Sequence, residues 1–386
     1  AEGAFMTEAA GYERPGFFGL PGTKPEIEYS YGRQNWFSLT GEECRATRDA
    51  VALFDHSCFV KFAVDGRDAC AALNRICAND VDVPVGRLVY TQWLNEHGGI
   101  EADVTVTRLS ETSFLVVTIA VSQVRDFAWL TRHLPKDAHV FARDISSGLP
   151  MLALMGPKSR ELLSSISNAD LSNAAFPFGT SREIEIGYAK AHVNRVTFVG
   201  ELGFEILMPA EFAQHIFDVL VEAGKAFGLK QAGYFAINSL RMEKGYRHWG
   251  HDIGEDDTPL EAGLGFAVAW DKKGGFIGRD ALLKQRESGP LKRRLVQIQL
   301  EGDDAPLLYH EEPIWRDGKV IGSITSGGYG HRIGASLGMG YVRCEEGVDA
   351  AWLAAAPLEV EVAWKRHPAR AQLAPWYDPK SERIKA

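Results

Sequence analysis

The chain has 386 residues, of which 45% are hydrophobic and 24% are charged. This is an ordinary globular composition, and the length exceeds what one hydrophobic core usually organises. Its net charge of −9 disfavours a general binder of nucleic acids or membrane surfaces. Five cysteines without a C-x-x-C spacing disfavour a disulfide framework or a structural zinc site, and no apolar run approaches about 18 residues. We expect two or three domains in a soluble, intracellular protein.

The first 40 residues are rich in Gly, Pro and aromatic side chains and show neither helical nor strand periodicity. Free linkers rarely carry so many aromatics, so this segment is predicted to be an ordered arm packed on the body. Hydrophobic periodicity then predicts two helices and four strands. The helices cover 43–54 and 66–78, and the strands cover 59–64, 86–94, 102–109 and 113–118.

The middle of the chain mixes helices and strands. The predicted helices are 122–134, 157–165, 210–227 and 234–244, and the predicted strands are 152–155, 183–188, 191–198 and 203–208. The last third has short strands with Gly-rich turns, which predict a small antiparallel barrel or sandwich. These strands are 295–300, 312–316, 319–326, 336–342 and 358–362. Because strands do not alternate regularly with helices, we expect an α+β protein rather than a doubly wound α/β fold.

Several common cofactor motifs are absent from the sequence. There is no G-x-G-x-x-G after a strand, no G-x-x-x-x-G-K-[ST] and no H-E-x-x-H. These absences remove NAD, FAD, ATP and zinc-hydrolase sites at their usual positions.

The stretch 95–103, N-E-H-G-G-I-E-A-D, joins two predicted strands. Its two glycines permit a tight turn or the close approach of a ligand. Asp103 begins the second strand, where a carboxylate can accept a proton or stabilise a positive charge. The alternative is an ordinary hairpin in which Asp103 caps the turn. Glu101 lies two residues earlier on the same strand face, so alternation does not choose between the two carboxylates.

Glu205 lies in the apolar strand sequence F-E-I-L. Such a carboxylate either faces solvent or is buried and paired, and a buried one can accept two parallel hydrogen bonds from a fork of donors.

The stretch 239–252 is dense in Arg, Glu, Tyr, His and Trp. It is either part of a site or a structural ion-pair network, in which Arg241 and Lys244 pair with Glu243 or with helix-end groups. His248 and His251, three residues apart, make a weak metal site. The basic segment 365–367 with Arg370 is either an anion contact or a solvated face.

Taken together, nine stretches resemble the aminomethyltransferase (glycine cleavage T-protein) family in family order. The greatest resemblance is to the folate-binding C-terminal half of dimethylglycine and sarcosine dehydrogenases and oxidases. The stretches are L-F-D-H-S (53–57), N-E-H-G-G-I-E-A-D (95–103), L-A-L-M-G-P-K-S (152–159), G-E-L-G-F-E-I (200–206), S-L-R-M-E-K-G (239–245), G-H-D-I-G-E-D-D-T-P-L-E-A-G-L (250–264), F-I-G-R-D-A-L (276–282), I-G-S-I-T-S-G-G-Y-G (321–330) and L-G-M-G-Y-V (337–342).

The resemblance implies a three-domain cloverleaf around a central folate channel, with a ferredoxin-like middle domain and a C-terminal, jelly-roll-like β-barrel. The implied division is an arm (1–40), domain 1 (41–145 with 235–280), domain 2 (146–234) and the barrel domain (281–386). The arm resembles the segment that joins a flavin domain to the folate domain. We therefore expect a separated folate half, either a standalone subunit or a fragment.

The implied activity is transfer of a methylene or iminium unit to tetrahydrofolate, giving 5,10-methylenetetrahydrofolate. The donor would be an N-methylated amine like dimethylglycine or sarcosine. The expected partner is a flavin dehydrogenase that carries the FAD, in the cytoplasm or the mitochondrial matrix. No metal, nucleic acid or membrane is implied.

The resemblance also assigns site residues. Asp103 matches the catalytic aspartate and Glu205 the pterin-binding glutamate, and Tyr90 matches an aromatic side chain that lines the folate site. Arg241, Tyr246 and Arg370 are predicted as further cofactor contacts.

Two departures, Ile237 for an arginine and Phe198 for a tyrosine, disfavour a glycine-cleavage component. Two alternatives stay open: a tetrahydrofolate-dependent S- or O-demethylase and a non-catalytic folate-binding regulator. The regulator branch has a K-G-C-x-x-G-Q-E signature, whereas residues 273–279 here contain no cysteine.

Overall fold

The computed structural model describes residues 3–22, 24–30 and 32–386. The described strands form a two-stranded hairpin, a five-stranded sheet, a six-stranded sheet and a closed six-stranded barrel. The predicted α+β class and the C-terminal barrel are confirmed.

The first part of the chain contains eight strands and three helices. They are β1 (Ala4–Ala9), β2 (Tyr12–Phe18), α1 (Phe37–Asp49), β3 (Ala52–Asp55), β4 (Val60–Asp65), α2 (Ala69–Ile76), β5 (Leu88–Leu94), β6 (Ile100–Ser110), β7 (Ser113–Thr118), α3 (Gln123–His133) and β8 (Phe141–Asp144). The five-stranded sheet has the order β5-β6-β7-β4-β8. Buried side chains of α2 and α3 pack with those of β4, β6 and β7 in one core.

The arm is ordered, as predicted, and it is anchored by an aromatic cluster. Phe17 of β2 is 1% exposed, and its ring lies 6.3 Å from that of Trp36 and 5.8 Å from that of Phe235. The prediction that the arm contains no strand is wrong, because β1 and β2 form an antiparallel hairpin. A register shift between Phe5 and Met6 interrupts the alternation that would have marked β1.

The helix predicted over 43–54 is also wrong at its C-terminal end. Helix α1 ends at Asp49, and the following apolar run forms β3, which pairs with β9 on one side and β13 on the other. A short apolar run that is buried throughout lacks the periodicity that separates a strand from a helix.

The middle part has five strands and four helices. They are β9 (Met151–Met155), α4 (Ser159–Ser165), β10 (Ser181–Ile186), β11 (Ala189–Asn194), β12 (Gly203–Leu207), α5 (Ala213–Gly224), β13 (Lys230–Gln231), α6 (Tyr234–Lys244) and α7 (Arg279–Glu287). The six-stranded sheet has the order β10-β11-β12-β9-β3-β13, and α4 and α5 cover one face. Since β3 joins this sheet from outside 146–234, the domain boundaries stay a prediction.

The last part has six strands and one helix. They are β14 (Arg293–Leu300), β15 (Pro313–Arg316), β16 (Lys319–Gly330), β17 (Ala335–Arg343), α8 (Ala350–Ala355), β18 (Leu358–Val362) and β19 (Lys365–Gln372). The barrel closes in the order β14-β17-β16-β15-β18-β19. The basic segment at 365–370 belongs to β19, whose mostly exposed charged side chains hide its strand alternation from the sequence.

Helix α6 connects these units, because it packs against α1, β2, β16 and β17. Its charged residues are buried and paired. Glu243 accepts two hydrogen bonds from Arg48, at 2.6 and 3.1 Å, and Lys244 pairs with Asp378 at 2.9 Å. The α6 part of the stretch 239–252 thus takes part in a structural ion-pair network, although Arg241 and Lys244 do not pair with Glu243.

Within the part of the chain that the structure describes, no helix is long and apolar enough to cross a membrane. All five cysteines are free thiols.

The arm is also fixed by one buried carboxylate. Glu43 is 3% exposed, and its two oxygens accept hydrogen bonds from the backbone N–H groups of Phe18 (2.7 Å) and Gly233 (3.0 Å). Burial raises the pKa of Glu43 from 4.5 to about 7, although these two hydrogen bonds lower it in part.

This shift predicts a pH dependence of stability. Between pH 4.5 and about 7 the folded chain keeps a proton that the unfolded chain has lost. The resulting stability is complete below pH 4.5 and is lost as the pH rises towards 7. We expect Glu43→Gln to reduce the fall in the free energy of unfolding between pH 4.5 and 7.5, measured by urea unfolding. The control is Glu42→Gln on the exposed face of α1, where a hydrogen bond from Lys230 lowers the pKa. An unchanged slope in Glu43→Gln would contradict the proposed protonation.

Candidate functional site

Asp103 lies on β6, directly opposite Gln92 of β5. Strand alternation places Tyr90 and Gln92 on the same face, and Gln92 Nε2 donates to Asp103 Oδ1 at 2.8 Å. The Tyr90 hydroxyl and the Arg247 guanidinium are the other groups that act on this carboxylate. We call Tyr90, Gln92, Asp103 and Arg247 the Asp103 cluster.

The environment of Asp103 suits a proton acceptor. Burial raises its pKa from 3.8 to about 6, against the lowering effects of Gln92, Tyr90 and Arg247. Asp103 is nevertheless only half-buried, so the residue is not closed off from solvent. The group is mostly ionised at neutral pH, and its pKa lies close to the range in which a general base is effective.

The structure distinguishes the two carboxylates that the sequence left equivalent. Glu101 Oε1 accepts from Asn95 Nδ2 at 3.2 Å, and its Oε2 accepts from Arg125, which also donates to the backbone carbonyl of Glu101. Asp103 has no such ion pair among the described residues. Glu101 is therefore occupied by an ion pair with Arg125, whereas Asp103 has hydrogen-bond partners but no ion-pair partner among the described residues.

The turn before β6 is capped by Asn95 rather than by Asp103. The Asn95 Oδ1 accepts from the N–H groups of His97 (3.0 Å) and Gly99 (2.9 Å). A Cβ at Gly99 would lie 1.7 Å from the Glu255 carbonyl oxygen, so only glycine fits beneath this neighbouring loop. Ile100 N–H donates to the carbonyls of Gly254 and Asp257, which holds the loop against the hairpin tip.

Glu205 lies on β12, and its side chain is 13% exposed. No described residue donates a hydrogen bond to its carboxylate, whose nearest basic group is His56, with Nδ1 3.8 Å from Oε1. Directly opposite Glu205 on β11 stands Asn194. Buried Lys61, whose pKa burial lowers to about 8, is also influenced by the charge of Glu205.

The neighbours of Glu205 carry buried polar atoms without partners. Both ring nitrogens of His56 and both side-chain amide atoms of Asn194 are buried and make no hydrogen bond within the described chain. Each side chain is 1% exposed. An orphaned buried polar group is costly, and native structures keep one where a ligand or water completes it. We call His56, Lys61, Asn194 and Glu205 the Glu205 cluster.

Arg241 and Tyr246 contact residues that neighbour the two clusters. Arg241 donates to Asn238, to the Tyr246 carbonyl, to Asp252 (2.6 Å) and to Ser326, so four of its five N–H groups are used. The charge of Asp252 also acts on Arg247 of the Asp103 cluster.

The Tyr246 ring stacks on Phe198 at 5.8 Å, and Phe198 lies in the loop that follows Asn194. Burial raises the Tyr246 pKa. The roles of Arg241 and Tyr246 as cofactor contacts stay predictions.

Arg370 lies apart from both clusters. It is 59% exposed on β19, where it donates to Gln299 at 3.1 Å and lies 3.5 Å from Glu301. Its guanidinium is also 5.7 Å from the Trp376 ring. A cofactor contact at this residue likewise remains a prediction.

Four residues of the two clusters were not predicted from the sequence: Gln92, Arg247, His56 and Asn194. Gln92 was identifiable once the 86–94 and 102–109 strands were paired, because it then stands opposite Asp103. Arg247 lies in the stretch 239–252 and His56 in the motif L-F-D-H-S, but neither has a distinguishing spacing. Asn194 gives no signal before the register of β11 and β12 is known.

His248 and His251 do not form a metal site in this arrangement. Their rings lie 4.8 Å apart, and the described residues contain no group of three His, Cys, Asp or Glu side chains that could hold a metal ion. Burial lowers the pKa of His248 to about 4, so its ring is neutral.

Family models match two parts of the chain. The model described as GCVT N-terminal domain matches residues 1–272, and the glycine cleavage T-protein C-terminal barrel domain matches residues 293–378.

Relatives and a solved structure agree with these matches. The chain is 44% identical to 4-methylaminobutanoate oxidase (formaldehyde-forming) of Paenarthrobacter nicotinovorans, over 99% of the chain and 45% of the relative. It is 35% identical to the mitochondrial pyruvate dehydrogenase phosphatase regulatory subunit of Mus musculus, over 97% of the chain and 44% of the relative. It therefore spans about half the length of these curated relatives.

The crystal structure of glycine cleavage system aminomethyltransferase T from Bartonella henselae superposes with a TM-score of 0.82 at 26% identity. The match covers 98% of this chain and 95% of that one.

Asp103 and Glu101 should respond oppositely to removal of charge. At pH 8 Asp103→Asn removes a desolvated carboxylate, and we expect the free energy of unfolding to rise by about 1–2 kcal/mol. Glu101→Gln loses the ion pair with Arg125 and should lower the free energy of unfolding by about 1 kcal/mol. Urea unfolding of the two variants measures the difference. A loss of stability in Asp103→Asn similar to that in Glu101→Gln would instead give Asp103 a structural role.

Proposed function

Because the chain belongs to the aminomethyltransferase family of the glycine cleavage T-protein, we propose that it is a tetrahydrofolate-dependent one-carbon transferase. It captures a methylene or iminium unit from an N-methylated amine and gives 5,10-methylenetetrahydrofolate. Tetrahydrofolate, when bound, supplies the nitrogens that take up this carbon.

The observation that carries the proposal is the set of unpaired polar atoms in the Glu205 cluster. A pterin ring presents a ring N–H and an amino group side by side, which match the two oxygens of an unpaired carboxylate. Asn194, opposite Glu205, offers one free donor and one free acceptor to the same ring edge. The donor set therefore fits a pterin, and we assign Glu205 and Asn194 to its binding.

Asp103 would act on the reacting nitrogen. Its carboxylate, with a pKa of about 6, can accept a proton and stabilise positive charge near neutral pH. Gln92 fixes one carboxylate oxygen through its 2.8 Å hydrogen bond, which limits the orientations that Asp103 can adopt. Arg247 and Tyr90 keep the carboxyl group ionised in spite of its burial.

The remaining predicted contacts are assigned more general roles. Tyr90 would line the cofactor site beside Asp103, and Tyr246, stacked on Phe198, would provide an aromatic wall. Arg241 would act by positioning Asp252, and through it Arg247. We keep Arg370 as a candidate contact for the anionic tail of the cofactor.

The substrate and partner are inferred from the relatives. The name of the Paenarthrobacter relative specifies oxidation of an N-methyl amine, and this chain matches 45% of its length. We propose that oxidation takes place on a flavin dehydrogenase domain or subunit, which carries the FAD and delivers the one-carbon unit. Five free thiols support the cytoplasm or the mitochondrial matrix as the compartment.

A second candidate function is a non-catalytic regulator that binds folate. The similarity to a phosphatase regulatory subunit favours it. Folate binding without one-carbon transfer would distinguish this function from the enzymatic one.

Calorimetry with tetrahydrofolate tests the binding assignment. We expect binding by the unaltered chain and at least a tenfold loss for Glu205→Ala, because the ring donors lose a charged acceptor. Asp103→Ala should weaken binding less. The control is Glu185→Ala, an exposed carboxylate on strand β10 of the same sheet. Absence of binding by the unaltered chain would reject every folate function.

One-carbon capture tests the catalytic assignment. With tetrahydrofolate saturating and formaldehyde plus a secondary amine as the iminium source, we expect Asp103→Asn to slow formation of 5,10-methylenetetrahydrofolate by about 100-fold. Gln92→Leu should slow the reaction less, because the Asp103 carboxylate is retained but loses the hydrogen bond that fixes its orientation. The control is Glu101→Gln. An unchanged rate in Asp103→Asn, with binding intact, would leave the regulator as the better interpretation.

A further inference from the structure

A cavity of about 190 Å³ lies between the arm, helices α1 and α6 and barrel strand β16. Its lining contains no member of the Asp103 or Glu205 cluster. The walls are largely aromatic: Trp36 and Phe37 from the start of α1, Phe235 from α6 and Tyr329 from β16. An apolar cavity of roughly 150 Å³ accommodates a benzene molecule, so this one suits a monocyclic or short-chain ligand.

The cavity contains a buried hydroxyl that lacks a partner. Thr40 lines it and is 5% exposed, and its Oγ1 makes no hydrogen bond with any described residue. Such a hydroxyl is completed by a polar atom of a ligand or by a water molecule.

Two unpaired cations lie beside the cavity. The Arg33 guanidinium is 4.9 Å from the ring centre of Phe37 and 5.8 Å from that of Tyr329. A Cβ on Gly41 would lie 2.9 Å from His331 Nδ1 and 3.4 Å from an Arg45 guanidinium nitrogen, so Arg45 and His331 are close neighbours.

Neither arginine forms an ion pair with a carboxylate of the described chain. Arg45 acts on Glu42 only at longer range, and Glu42 is itself bonded to Lys230.

The charge balance at this place favours an anion. The protein carries a net charge of −9, but Arg33 and Arg45 have no acidic partner among the described residues, so an anion here would meet two cations that no carboxylate neutralises. Burial, together with Arg45 and Arg33, lowers the pKa of His331 to about 4, which leaves a neutral imidazole that can accept or donate one hydrogen bond.

We propose that this cavity binds a small organic carboxylate, with its apolar body among the aromatic walls and its carboxylate group between Arg33 and Arg45. Arginine suits this role because its planar fork of donors matches a carboxylate. Thr40 and His331 supply hydrogen bonds to the remaining polar atoms of the ligand. The site is separate from the proposed folate contacts and does not depend on them.

The test is calorimetry of the full chain with benzoate, and with benzyl alcohol as an uncharged probe of similar size. We expect benzoate to bind with a Kd on the order of 1 mM and benzyl alcohol to bind at least tenfold more weakly. Arg33→Gln and Arg45→Gln should each reduce benzoate affinity about tenfold, and Thr40→Val about threefold. Arg132→Gln, an exposed arginine on α3, is the control.

Thermal unfolding identifies any variant that has lost its fold, and the salt dependence of benzoate binding by the unaltered chain gives an independent readout. Affinity that falls as salt rises supports the arginine contacts. Equal affinity for benzoate and benzyl alcohol, no benzoate binding, or affinity unchanged in both arginine variants overturns the proposal. Loss of benzoate binding at saturating tetrahydrofolate also overturns it, because the two ligands would then share a site.

Discussion

Helix α6 carries three charged side chains that are almost fully buried and point to different parts of the molecule. Arg241 pairs with Asp252, Glu243 pairs with Arg48 of α1, and Lys244 pairs with Asp378. A buried charge without its partner costs several kcal/mol, so the folded chain has to contain all three ion pairs. The barrel, α1 and the C-terminal segment are therefore held in one arrangement around the helix. The position of the Asp103 cluster depends on this arrangement, since the loop that follows α6 carries Arg247.

The two clusters illustrate how a functional site differs from the ion-pair network around it. In the network, carboxylates and guanidinium groups satisfy each other, as Arg48 and Glu243 do. In the Glu205 cluster, the amide of Asn194 and the ring of His56 are left without partners, which lowers the stability of the free chain. In native structures such groups are completed by a ligand or by an ordered water molecule. Their position opposite and beside Glu205 is why we assign the pterin to that strand pair.

Much of the architecture could be predicted from the sequence, because hydrophobic periodicity is a local property. Helix α6 and strands β7 and β18 were predicted at their observed bounds. Three elements were missed where periodicity is hidden: by burial of the apolar run in β3, by a register shift in β1 and by exposed charges in β19. Strand β8 and helices α7 and α8 were not predicted either. For the site, a hairpin and a strand marked Asp103 and Glu205 as candidates, and family resemblance supplied their roles. The sequence could not separate Asp103 from Glu101, because the distinction depends on Arg125, which lies on a different element. Asn194 depends on strand register, which no local pattern gives.

The loop at residues 254–257, which lies over the glycine turn before β6, has a consequence for how the protein folds. Asn95 donates to the carbonyl of Glu255, 160 residues further along the chain, and Ile100 donates to two carbonyls of the same loop. Contacts of such large sequence separation form late, because the chain entropy lost in closing the loop is recovered only after the intervening elements have packed. During synthesis, the β5–β6 hairpin can pair long before this loop leaves the ribosome. The surroundings of Asp103 are then completed only after the six-stranded sheet and helix α6 have formed, so a chain interrupted before residue 254 would contain a folded hairpin without the loop that holds its tip.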